Sequence, residues 1–142
     1  MKIPASKFST YARIYAERVD WLCRTCAPLE DMYFVYAQRA SLFMLKHLHH
    51  VRGTLTVAVN DSNNVQAIAR AYFGKLSESD ELVFKILDDI FDKFTFGAGG
   101  SVEVSDPGFK VYDAVASVIE ALKDMCESTD STHPTVREMQ IS

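Results

Sequence analysis

Cys23 and Cys26, in the run Trp21-Leu22-Cys23-Arg24-Thr25-Cys26-Ala27-Pro28, have the one spacing in this 142-residue chain that names a chemistry by itself. A C-x-x-C serves either as a redox dithiol or as half of a zinc site. Redox dithiols of the thioredoxin kind sit at a helix N-terminus, where the helix dipole stabilises the thiolate. Here an amphipathic stretch from Tyr11 to Leu22 precedes the pair, so the cysteines fall in the last turn of a helix that Pro28 ends, and the dipole works against an anion there. For zinc, His47 and His50 would have to complete the ligand set. Twenty-one residues separate Cys26 from His47, about 30 Å if they are helical, and an antiparallel hairpin puts the two pairs at opposite ends. The expectation is therefore no metal and no cofactor, with both cysteines filling the corner between the first two helices as small apolar side chains.

Lys46, His47, His49, His50 and Arg52 cluster near a helix C-terminus, where the dipole favours cations. Together they make a possible anion patch, set against the plainer reading of a solvated helix end. Gly97-Ala98-Gly99-Gly100-Ser101 has the composition of a phosphate loop but follows a helix and precedes a β-rich run, the reverse of the order a phosphate cradle needs. Residues 65–90 have the outline of a helix-turn-helix. Its second helix, however, carries Glu81, Asp88, Asp89 and Asp92, which phosphates repel, so direct nucleic-acid binding is not expected. No G-x-S-x-G, H-E-x-x-H or framed carboxylate pair is present.

The elements that would position these residues follow from periodicity and caps. A first helix runs from Ser9 or Thr10 to Cys26, with apolar residues on two faces; Ile14 and Trp21 form the second face, with Arg18 between them. A second helix from Leu29 to His50 is apolar on nearly every side, which makes it central to a bundle or to a dimer. Thr54 to Val59 alternates polar and apolar and reads as a strand, as does Ser101–Val104. Asn60 to Asn64 is a turn, Val65–Phe73 a short helix closed by Gly74, and Ser77 or Asp80 opens a helix to Phe94 whose wet side holds Glu81, Lys85, Asp88, Asp89 and Asp92. Asp106-Pro107 starts a last helix ending near Glu127, and a polar tail follows from Ser128. The fold class is mainly α, about five helices in a compact bundle with two short strands that form a small hairpin or pair between subunits. Residues 1–127 make one domain and residues 128–142 a flexible tail.

Nearly half of the residues are apolar and a quarter charged, the balance of a globular domain able to build a core without disulfides. No run approaches the length of a membrane span. The start lacks a signal-like apolar stretch, and an odd number of cysteines argues against a secreted disulfide scaffold, so a cytoplasmic location, in the cell or in a host cell, is expected. Charge is uneven: residues 1–75 carry +5 and residues 76–142 carry −9, for a net −4. These features point to a non-enzymatic interaction module of inhibitory or regulatory kind, binding a protein partner and self-associating as a homodimer. Ile14, Arg18 and Trp21 on one side, and Glu81, Asp88, Asp89 and Asp92 on the other, are its expected contacts. Two alternatives belong to other classes. One is a small-molecule or metal-binding protein or enzyme with a pocket between helices, walled by Tyr33, Tyr36, His47 and the glycine loop. The other is an acidic mimic of nucleic acid that occupies a nucleic-acid-binding protein.

Overall fold

In a computed structural model the described residues are 3–25, 30–96 and 111–131. Six α-helices make up nearly all of them: α1 (Phe8–Arg24), α2 (Glu30–Arg52), α3 (Val57–Asp61), α4 (Val65–Phe73), α5 (Glu78–Phe96) and α6 (Val111–Ser131), with a single 3-10 turn at Ala5–Lys7. The arrangement is a bundle around α2, against which α1, α4, α5 and α6 all pack. That position explains the composition of α2. Tyr33, Phe34, Ala37, Ala40, Leu42, Phe43, Met44, Leu45 and Leu48 are buried, and they occupy every side of the helix because neighbours lie on every side. The covering helices belong to the same chain, so the all-round apolar surface is used within one molecule. No described helix is long and apolar enough to cross a membrane.

The packing of α1 on α2 follows from spacing. Phe8, Ala12, Ala16, Val19 and Leu22 make the buried stripe, the larger of them contributing about 1.5–3 kcal/mol each on full burial. Three α1 rings gather on Phe43 of α2: Phe8 at 6.2 Å between centroids, Tyr11 at 5.4 Å and Tyr15 at 6.0 Å. Their positions are three or four residues apart, which is what one helix face allows.

Local signals set the remaining boundaries. Asn64 Oδ1 accepts from Ala67 N at 2.7 Å and caps α4, which ends at Gly74 with φ +78°. Ser77 Oγ accepts from Asp80 N at 3.1 Å and opens α5. Helix α4 spans the expected Val65–Phe73, while α6 continues to Ser131, past the expected end at Glu127.

No strand occurs among the described residues. The expected strand Thr54–Val59 is instead a lead-in to α3: Thr56 Oγ1 accepts from Val59 N at 3.1 Å and caps a five-residue helix. A strand needs a neighbour to satisfy its backbone, whereas a capped helical turn satisfies its own. The second expected strand, Ser101–Val104, and the glycine loop at 97–100 lie outside the described residues.

Candidate functional site

Helix α1 presents its second face outward. Ile14 is 37% exposed and Trp21 61% exposed, the larger value being the highest among the large apolar residues of α1. Seven residues apart, they fall within about 20° of each other around the helix. Between them stand Glu17 and Arg18, both exposed. The Arg18 guanidinium lies over two rings, 5.5 Å from the Tyr15 centroid and 5.4 Å from that of Tyr36. This double contact holds its long side chain near one geometry. Asp20 and Arg24 form an i, i+4 ion pair along the same helix. Ile14, Arg18 and Trp21 thus come together on one surface, as their spacing requires.

The four α5 carboxylates do not form a common exposed surface. Glu81 is half-buried and held by the Arg70 guanidinium and by Gln66 Nε2 at 2.8 Å, and the Arg70 ion pair is the main cause of a lowered Glu81 pKa. Asp89 pairs with Lys85 at 3.1 Å, and Asp92 is exposed. Asp88, expected on the wet side, is only 7% exposed. Its Oδ1 accepts from Val65 N at 2.9 Å and from Gln38 Nε2 at 3.3 Å, and its Oδ2 accepts from Gln66 N at 3.0 Å. Asp88 therefore ties α5 to the first turn of α4, where orphan amides and the positive end of the helix dipole meet a carboxylate. Burial outweighs these bonds and raises its pKa. An acidic surface on α5 is thereby reduced from within.

The basic cluster is also divided. Lys46, His47 and His49 are buried, at 6%, 9% and 1% exposure, while His50 and Arg52 are exposed. The Ile68 carbonyl can only accept, so His49 Nε2 donates to it at 3.1 Å; in the neutral ring Nδ1 then accepts from the Thr54 hydroxyl at 2.7 Å. Arg52 donates to the Tyr72 carbonyl at 2.9 Å and stacks 3.7 Å from that ring's centroid. His49 and Arg52 thus lock the end of α2 to α4, while Lys46 donates to the Asn60 carbonyl of α3 at 2.8 Å. They do not share one surface on which an anion could sit.

Cys23 is exposed and neighbours Tyr33 of α2, and Cys26 lies outside the described residues. Cys126, on α6, is half-buried and donates to the Met44 carbonyl at 3.7 Å. Among the described residues no group of three or more His, Cys, Asp or Glu converges as metal ligands. Tyr33 is buried, its ring against those of Phe34 and Tyr112. Burial first, and then the neighbouring Cys23 thiol, push its phenol above the usual range.

Sequence reasoning passed over Gln38, the one amide of the apolar α2. Gln38 is fully buried and donates to Asn63 O at 2.8 Å as well as to Asp88. A lone amide in an otherwise apolar helix was the available signal, since such a group needs a buried partner. Comparison with protein-family models, with curated proteins and with solved structures finds no match for this chain.

Proposed function

We propose that this chain is a non-enzymatic protein-interaction module that self-associates through the outward face of α1. The observation that carries the reading is Trp21, the sole tryptophan of the chain, held 61% exposed on a regular helix beside exposed Ile14. Tryptophan and arginine are the residues most enriched at the centre of protein interfaces. The occupant follows from the charge order along the helix. An antiparallel pair of α1 helices, related by a two-fold axis between Glu17 and Arg18, sets Ile14 of one copy against Trp21 of the other. The same axis sets Glu17 of one copy against Arg18 of the other. Each contact occurs twice, the self-complementarity that an isologous interface demands.

Its strength is bounded by size. Helix α1 has 17 residues and is about 25 Å long, so one helix-to-helix contact lies at the small end of stable interfaces. The expected species is a reversible dimer that dissociates on dilution.

Sedimentation equilibrium over a range of concentrations tests the reading, with Trp21 emission as a built-in probe. Association should shift the emission to the blue and shield the indole from quenchers. Trp21→Ala should give a monomer with unchanged melting. Glu17→Arg and Arg18→Glu should each weaken the dimer, and the two together should restore it because the pairing is only exchanged. A wild type that stays monomeric at every concentration, or a Trp21→Ala variant that associates as well as the wild type, would sink it.

A further inference from the structure

A cavity of about 220 Å³ lies between the N-terminal segment, one face of α2 and the turn that joins α3 to α4. Helix α2 supplies Arg39, Leu42, Phe43 and Lys46, a stripe at i, i+3, i+4 and i+7. Ile3 and Phe8 close one side, and Asn60, Asp61 and Asn63 the other. Two cations therefore share one small space.

Neither cation forms an ion pair among the described residues, although the Asp61 carboxylate lines the same cavity. Lys46 is only 6% exposed, and among the described residues its ammonium donates to a single acceptor, the Asn60 carbonyl at 2.8 Å. Three donors are available on that group. Half-buried Arg39 makes no hydrogen bond or ion pair among the described residues. Its guanidinium lies 3.9 Å from the Phe91 ring centroid, which fixes the plane of the fork. Burial lowers the pKa of both groups, and the Arg39 charge lowers that of Lys46 further, against an opposing influence from Asp61. Removing two like charges from water without a bonded anion is costly, and an anion placed between them offsets that cost.

We infer that this cavity is a binding site for a small organic monocarboxylate, its carboxylate held by Arg39 and Lys46 and its apolar body lying on Ile3, Phe8, Leu42 and Phe43. The class follows from three features. The planar fork of arginine matches a carboxylate in two parallel hydrogen bonds. With Asp61 present, the described lining carries a net single positive charge, which suits a monoanion better than a phosphate dianion. The apolar residues give a short hydrocarbon chain a place to leave water, and the volume is below that of pockets for drug-sized ligands.

Butyrate is the probe, with butanol as the uncharged control and inorganic phosphate as the competing anion. Titration calorimetry on the full chain should show saturable, one-to-one binding of butyrate, none of butanol at the same concentrations, and weaker binding of phosphate. Amide chemical shifts of Leu42 to Lys46 should move with butyrate in the wild type, a readout that needs no substitution. Arg39→Met and Lys46→Met should each weaken binding at least tenfold. Circular dichroism verifies their fold, and the half-buried Arg39 serves if the Lys46 variant does not fold. The inference fails if butyrate and butanol behave alike, if a folded variant binds butyrate as the wild type does, or if phosphate binds more tightly than butyrate.

Discussion

Asp88 is the place where one substitution should do most damage for its size. Replacing it with alanine removes the acceptor for Val65 N, Gln66 N and Gln38 Nε2. A hydrogen bond to a charged group contributes about 1.5–3 kcal/mol, and a buried donor left without a partner costs about 1–3 kcal/mol. Two effects reduce the sum: Gln38 keeps its bond to the Asn63 carbonyl, and the desolvation of the carboxylate itself disappears. A net loss of about 3 kcal/mol is expected, or about 6–12 °C in Tm for a chain of this length. Asp88→Asn should lose less, about 1–2 kcal/mol, because one oxygen remains while the new amide faces the Gln66 N–H. Urea and thermal unfolding followed by far-UV circular dichroism measure both, with exposed Asp92→Ala as the control, expected within about 0.5 kcal/mol of the wild type.

The pH dependence has a definite sign. Burial raises the Asp88 pKa in the folded chain above its ordinary 3.8, so the native state holds this proton more tightly than the unfolded one. The stability linked to it is fully present below the ordinary value and is lost as pH rises through the folded value. The gap between wild type and Asp88→Asn should thus be widest in acid and narrow toward neutral pH. An Asp88→Ala variant that loses under about 1 kcal/mol, or no more than Asp92→Ala, refutes the role assigned here.

Leu45 is fully buried at the middle of α2, and Leu45→Ala should cost about 2–5 kcal/mol in urea unfolding through the cavity it leaves. A thiol-specific maleimide should modify exposed Cys23 well before half-buried Cys126, read by mass spectrometry of the digested protein. Cys23→Ala should shift stability by no more than about 0.5 kcal/mol, since the residue is exposed.

Most of the helices were legible because their signals are local. The period of Phe8, Ala12, Ala16 and Val19 marks α1, and Asn64 with Gly74 bounds α4, all within a few turns of chain. The pairing of Ile14 with Trp21 on one face is likewise a matter of helical period. The central place of α2 could be read from its composition, but the choice between covering it by its own chain or by a second copy could not. Where the sequence misled, the deciding partner lay far away in the chain. Thr54–Val59 has the alternation of a strand, yet no strand neighbour exists among the described residues, and the Thr56 cap wins by default. Asp88 looks like one more wet carboxylate until α4 brings the amides of Val65 and Gln66 to it across more than twenty residues of chain. His49 reads as part of a basic patch until the Ile68 carbonyl and the Thr54 hydroxyl take both its nitrogens. The sequence alone determined which stretches coil and which of their faces are apolar, because those depend on neighbours three and four residues away. Only the tertiary structure decided which charges go inside and which cations share a cavity, because a buried polar group survives only where a distant segment supplies its partner.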